Sequence, residues 1–161
     1  MTPNELIGHK TASKRLKVLP VFSKAKSVKL PRPFDKMRSP RLYASGELPV
    51  SDTHRVFMFW RDGELRTDSA FFAWLMCELQ DGRLSPLLEF HYHPSHKGAH
   101  IKTPCKTELD YTNRQLPQAP ELNVKLAADI DPRTDAGRSV LIARFCEACG
   151  IALGQENGLW N

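Results

Sequence analysis

Four of the six histidines in this 161-residue chain lie within ten residues of one another, in a stretch that also carries lysines and a glutamate. They are His91, His93, His96 and His100. Imidazole is the side chain whose ordinary pKa lies closest to neutral pH, so it can give or take a proton there, and it is also a common ligand of transition metals. This stretch is therefore the strongest indication of chemistry in the sequence.

The residues around these histidines predict a β-hairpin. In the first strand, polar and apolar side chains alternate with the period of two that is typical of a strand with one buried face. The apolar set is Leu88, Phe90 and Tyr92, and the polar set is Glu89, His91 and His93. After a Pro- and Gly-containing turn, His100 and Lys102 alternate with smaller or apolar residues, as expected for a second strand.

The length of the turn decides whether His100 joins the other histidines, because a shift of one residue moves a whole strand's side chains to the other face. An even turn brings His91, His93 and His100 to one surface with Glu89 and Lys102. In a turn of six residues, His93 lies opposite His100, and His91 lies opposite Lys102. We expect an even turn, since it keeps the apolar residues of both strands on the buried face.

One chemistry that this surface predicts needs no metal. Two histidines can act as base and acid on a ribose 2′-hydroxyl and on the leaving oxygen of a phosphodiester. His91, His93 and His100 are the candidates for base and acid, Lys102 would stabilise charge on the phosphoryl group, and Glu89 would orient an imidazole. The sequence thus predicts a small nucleic-acid-directed protein, a metal-independent endoribonuclease comparable in size and chemistry to compact bacterial toxins.

A second chemistry uses the same side chains as metal ligands. His91, His93 and His100 would form a three-histidine zinc centre with an open fourth position, which His96 or Cys105 could fill. Two non-catalytic alternatives remain open as well. The imidazoles could simply occupy a polar sheet face, or the domain could be an interaction module whose exposed aromatic residues meet a protein partner.

Positive charge is concentrated in the first third of the chain. Residues 1–50 hold eleven Lys or Arg and three Asp or Glu, which gives a net charge of +8. The remaining residues hold twelve Lys or Arg and fifteen Asp or Glu, which gives a net charge of −3. Prolines and scattered apolar residues predict a flexible or extended arm there. Its candidate contacts to nucleic acid are Lys24, Lys26, Lys29 and Arg32. Lys97 of the predicted hairpin turn is a further candidate. A solvated tail without a ligand is the alternative.

Residues 51–161 are predicted to form a single α+β domain. We expect an antiparallel meander of four or five strands with a C-terminal helix packed on one face. That helix begins between residues 131 and 135 and ends at Gly150. Segment 70–80 is compatible with a strand or a helix, and the aromatic density favours a strand.

Composition and cysteine usage predict a soluble cytoplasmic protein. No apolar run reaches the roughly 18 residues of a membrane span, and the first residues lack the pattern of a signal peptide. No membrane partner is therefore expected. The expected partner is RNA or a protein. Cys146 and Cys149 have the spacing of a zinc knuckle, but both fall on the apolar stripe of the predicted helix and are expected to be buried thiols.

Overall fold

The computed structural model describes residues 3–32, 34–95, 98–104, 111–112 and 129–154. The elements, in chain order, are α1 (Pro3–Thr11), β1 (Lys14–Leu16), β2 (Ser23–Lys24), β3 (Leu42–Pro49), β4 (His54–Arg61), β5 (Ala70–Glu78), β6 (Leu84–His93), β7 (Gly98–Pro104), β8 (Tyr111–Thr112), α2 (Asp135–Cys149) and β9 (Ile151–Leu153). Short 3-10 turns lie at Ala25–Ser27, Phe34–Lys36 and Arg66–Asp68.

Strands β2 to β8 form one antiparallel sheet in which every strand lies beside its neighbours in the chain. This is the predicted meander, and with α2 packed on it the fold is α+β. Five strands of this sheet, β4 to β8, follow residue 51. A separate pair, β1 and β9, runs parallel. No helix in the described ranges is long and apolar enough to cross a membrane.

Segment 70–80 is a strand, as the aromatic density favoured. Ala73 and Leu75 lie on one face of β5, and Trp74 and Met76 lie on the other, and all four side chains are buried. Because both faces of this central strand are covered, its sequence shows a continuous apolar run in place of a clean alternation. The same burial explains the run from Val56 to Trp60 in β4.

Helix α2 covers the first face of the sheet. The Thr134 side chain accepts a hydrogen bond from the Gly137 N–H at its start, and Gly150 ends it with φ of 62° in the left-handed region. The predicted stripe of Leu141, Ile142, Phe145, Cys146 and Cys149 is buried in the same cluster as the apolar residues of β4, β5 and β6. Burial raises the pKa of Cys146 to about 12 and also raises that of Cys149, so both thiols behave as apolar core groups.

The second face is covered by a segment that the sequence placed in a free arm. Ala25, Leu30 and Phe34 are buried there against Phe57, Phe59 and Trp74 of the sheet. The Phe34 ring lies 4.7 Å from the Trp74 ring and 5.3 Å from the Phe57 ring, measured between centroids. Strands β2 and β3 also precede residue 50, so the structure differs from the predicted boundary between a 1–50 arm and a 51–161 domain. The reason is that a few well-placed apolar residues suffice when a sheet supplies the partner surface.

Replacing Phe34 with alanine should therefore destabilise the whole domain. Phe→Ala substitutions in a packed core cost about 3–5 kcal/mol, through lost burial and the cavity that remains. Urea unfolding would measure the change in free energy. The matched control is Val21→Ala, because Val21 lies in the same N-terminal region but is 79% exposed, and a change within about 0.5 kcal/mol is expected there. Equal, small changes for both variants would contradict the packing described here.

Candidate functional site

The hairpin of β6 and β7 brings the predicted histidines to one face of the sheet. His91 pairs with His100, Glu89 pairs with Lys102, and His93 pairs with Gly98. The turn between His93 and Gly98 holds four residues, so the prediction of an even turn and a shared face is confirmed. The expected pairs of His93 with His100 and of His91 with Lys102 are wrong by two residues, because alternation fixes the face of a strand but not the length of an even turn.

The three imidazoles form a compact triangle. Ring centroids are 4.9 Å apart for His91 and His100, and 5.9 Å apart for His93 with each of the other two. The rings of His93 and His100 are nearly parallel, with an interplanar angle of 15°, whereas His91 meets both rings edge-on. His93 and His100 are half-buried, and His91 is buried. Two imidazoles are therefore within reach of a ligand, with the third behind them.

Glu89 holds the buried imidazole. Its carboxylate Oε1 is hydrogen-bonded to His91 Nε2, and the two residues are only 9% and 8% exposed. The Phe72 ring contacts His91 edge-on, with a centroid distance of 4.8 Å, and Trp74 lies 6.2 Å away. The sequence placed this polar face in solvent. It is buried here because β5 supplies aromatic neighbours and the segment around Phe34 covers them.

Of the remaining residues predicted for the hairpin, one is described and three are not. Lys102 is half-buried on the histidine face, directly opposite Glu89. His96 and Lys97 lie outside the described residues, as does Cys105. The structure thus brings together Glu89, His91, His93, His100 and Lys102.

The predicted basic contacts of the N-terminal region are all exposed. They are Lys24, Lys26, Lys29 and Arg32. Lys24 lies over the Tyr43 ring, with Nζ 4.0 Å from its centroid, and donates a hydrogen bond to the Pro40 carbonyl oxygen. The other three flank the apolar residues that pack on Trp74, and Trp74 in turn contacts His91. The apolar residues of this segment therefore pack on the same face of the sheet as the histidine triangle, whereas Lys24 lies over Tyr43, whose ring stacks on Trp60 of the α2-side cluster.

A second cluster, which sequence reasoning missed, lies on the opposite face. His9 of α1, His54 of β4 and Cys77 of β5 each offer a ligand atom, and these atoms all lie within 4.8 Å of one another. His54 and Cys77 are directly paired across β4 and β5. Cys77 lies in the 70–80 segment for which the sequence favoured a strand, but its contact with His54 depends on the register between β4 and β5. His9 is 45 residues away from His54, and no local spacing pattern links it to the other two.

The environment of this second cluster keeps its imidazoles neutral. Burial, followed by electrostatic interactions with Lys14, His9 and Arg55, lowers the pKa of His54 to about 4. Burial and then Lys14 lower the pKa of His9 as well. Burial, with Glu78, raises the pKa of the Cys77 thiol. Neutral imidazoles are the form that binds metal ions, whereas the thiol must lose its proton on binding.

We compared the sequence with protein-family models, with curated proteins and with solved structures, and nothing matched in any of the three comparisons.

The bond between Glu89 and His91 should be measurable as a coupling energy. In a double-mutant cycle of Glu89→Ala and His91→Ala, we expect a coupling of about 0.5–3 kcal/mol, because each single variant leaves a buried polar partner behind. Urea unfolding of the four proteins gives the value. The exposed ion pair of Arg144 and Glu147 is the control, with an expected coupling of about 0.2–1 kcal/mol. A smaller coupling for the buried pair than for the exposed one would contradict the geometry.

Proposed function

We propose that this chain is a cytoplasmic, nucleic-acid-directed protein that cleaves RNA by acid–base catalysis without a metal ion at the reacting phosphate. The observation that carries the proposal is the convergence of His91, His93 and His100 on one face of the hairpin, with Lys102 beside them. The three cysteines whose thiols are described are free, which fits a reducing compartment.

His93 and His100 are the pair best placed for proton transfer, since both are half-buried and accessible whereas His91 is buried. The neutral imidazole of one would accept the proton of the ribose 2′-hydroxyl as its oxygen attacks phosphorus. The protonated imidazole of the other would give a proton to the 5′-oxygen as the P–O bond breaks. The products would be a 2′,3′-cyclic phosphate and a 5′-hydroxyl, so the proton balance needs no further reagent.

His91 and Glu89 would act as positioning residues in this scheme. Hydrogen bonding to Glu89 fixes the His91 ring, and the edge of that ring contacts His100. A ring held in this way restricts the rotamers of its neighbours, which is how a second layer of residues keeps a site ready for its substrate. The Lys102 ammonium would stabilise negative charge on the phosphoryl oxygens, as a preorganised cation does in other phosphoryl-transfer sites.

Two features of the surroundings support RNA as the substrate. The exposed Lys26, Lys29 and Arg32 flank the apolar residues that pack on the histidine side of the sheet, and from there they would contact phosphates regardless of sequence. The half-buried Phe72 ring lies 5.3 Å from the His93 ring, and an aromatic surface beside a phosphate site can stack on a base.

The same triangle is also the candidate for the alternative function, a zinc-binding domain. Three imidazoles with centroids 4.9 to 5.9 Å apart are close enough that rotation about their side-chain bonds could direct their nitrogens at one ion. The bond between His91 Nε2 and Glu89 fits both functions, because a metal ion would use the other ring nitrogen and a carboxylate commonly orients a metal-binding histidine in this way.

RNA cleavage in the presence of a chelator tests the proposal. The full chain with EDTA should cut a labelled RNA oligonucleotide and leave a 2′,3′-cyclic phosphate, and the oligonucleotide with 2′-deoxyribose at the cut position should stay intact. His93→Ala and His100→Ala should each lower the rate by about 10²–10⁴-fold. The matched control is Ser95→Ala in the exposed turn, which should keep the rate.

The other outcomes of this experiment each contradict part of the proposal. Cleavage that appears only with added Zn²⁺ and disappears with EDTA would support the zinc alternative. A folded protein that leaves RNA intact under both conditions would overturn the nuclease function and favour a non-catalytic interaction module.

RNA affinity should depend on the basic segment. Lys29→Ala should weaken binding to a non-cleavable 2′-deoxy oligonucleotide and lower the slope of log Kd against log salt by about 0.7, the value for one phosphate contact on a single strand. Fluorescence anisotropy at several salt concentrations measures both quantities. Arg144→Ala removes the same charge from an exposed position on α2, across the sheet, and should change neither. Equal effects of the two variants would show that net charge, and not this surface, binds RNA.

A further inference from the structure

We propose that His9, His54 and Cys77 form a second, separate site that binds one divalent transition metal ion, Zn²⁺ above all, through two imidazole nitrogens and one thiolate. This inference is independent of the proposed nuclease function, because the cluster lies on the α2 side of the sheet and the histidine triangle lies on the other. The residues come from three elements, α1, β4 and β5, so a bound ion would connect the N-terminal helix to the sheet.

The distances fit a tetrahedral ion. His9 Nδ1 lies 3.1 Å from His54 Nε2, and the three donor atoms lie within 4.8 Å of one another. Two nitrogens bound to Zn²⁺ at about 2.0–2.1 Å with a tetrahedral angle lie about 3.3 Å apart. Only small side-chain adjustments are therefore needed for all three atoms to reach one ion. A set of two imidazoles and one thiolate suits Zn²⁺ better than Mg²⁺ or Ca²⁺, which prefer oxygen ligands.

His54 is held so that its Nε2 faces His9. Its other ring nitrogen, Nδ1, lies 2.9 Å from Ser51 Oγ and 3.1 Å from Thr53 Oγ1. A proton on Nδ1 would be donated to one of these hydroxyl oxygens, which leaves the lone pair of Nε2 directed into the cluster. Hydrogen bonding of the non-ligating nitrogen is the usual way in which a protein fixes the tautomer and orientation of a metal-binding histidine.

The end of α1 that carries His9 is also fixed in place. The buried Lys14 ammonium donates hydrogen bonds to the carbonyl oxygens of His9, Lys10 and Ala12, the last two at 2.8 and 2.7 Å. Gly150 packs against the same helix end so closely that a Cβ there would lie 2.4 Å from the Lys10 oxygen. These contacts place His9 before any ion binds, so the entropy lost on binding is small.

Three protein ligands leave a fourth position for water or another small ligand. His54 is 4% exposed, whereas His9 and Cys77 are half-buried, so the cluster is reachable from solvent. Binding replaces the proton of the Cys77 thiol with the metal ion and releases that proton to solvent, with no change in oxidation state. Without a metal, the same geometry would be a simple hydrogen bond between two imidazoles, and the experiment must separate these cases.

Titration with Co²⁺ distinguishes a metal site from a simple hydrogen bond between two imidazoles, because Co²⁺ bound to a thiolate gives a charge-transfer band that an imidazole-only site lacks. The full chain, freed of metal and titrated with Co²⁺, should show this band and the intense visible bands of a tetrahedral ion, saturating at one ion per chain. Zn²⁺ should bleach the spectrum and raise the Tm. Cys77→Ser should abolish the charge-transfer band, and His9→Gln should lower affinity at least tenfold.

Two controls make the result specific. Cys146→Ala removes a thiol from the core of α2 but not from the cluster, and should keep the band. His93→Ala with His100→Ala removes the two accessible imidazoles of the hairpin and should also keep the band. Circular dichroism shows whether each variant folds, and His9→Gln, at a half-buried helix position, serves if Cys77→Ser does not fold. Absence of the band in the unsubstituted chain, or its persistence in both Cys77→Ser and His9→Gln, would overturn the proposal.

Discussion

The register of β5 against its two neighbours is the constraint on which both histidine clusters depend. Pairing of β5 with β4 sets His54 opposite Cys77, and pairing of β5 with β6 sets Phe72 opposite His91 and Trp74 opposite Glu89. A slip of one residue would move each of these side chains to the other face. Because both faces of β5 are buried, such a slip would also exchange its apolar residues between two core clusters of different shape, so packing of the core and assembly of the two histidine clusters are fixed by the same interaction.

Burying polar groups beside such a core has a cost that their mutual bonding must offset. Glu89 and His91 are both nearly inaccessible, and neither would be tolerated there without the hydrogen bond between them. Lys14 is a comparable case, because its ammonium group donates hydrogen bonds to two carbonyl oxygens of α1 and to that of Ala12 just after it. Burial lowers the pKa of Lys14. In both places the polar interaction adds directionality that apolar packing lacks, and it fixes the angle of a ring or the position of a helix end.

Much of the fold was predictable from local patterns, and the failures have definite physical causes. Alternation in β6 and β7 predicted the hairpin and the shared face of the histidines, and capping residues predicted α2. The burial of that face was not predictable from the hairpin alone, because the rings against His91 are Phe72 and Trp74 of β5, and Trp74 in turn packs on Phe34 from a segment with few apolar residues. The His9 cluster was missed for a related reason: its ligands lie in three separate elements, and only the tertiary structure brings them together.

The two clusters are chemically separate although one strand carries contacts to both. On β5, Cys77 shares a face with Leu75 and packs towards α2, whereas Phe72 and Trp74 lie on the other face against His91. The backbone of the sheet thus stands between the cysteine and the hairpin imidazoles. Any effect of one cluster on the other must travel through the register or stability of β5, because no single ligand could contact both faces at once. A metal ion in the His9 cluster would therefore stabilise the strand that positions the hairpin without taking part in the hairpin's chemistry.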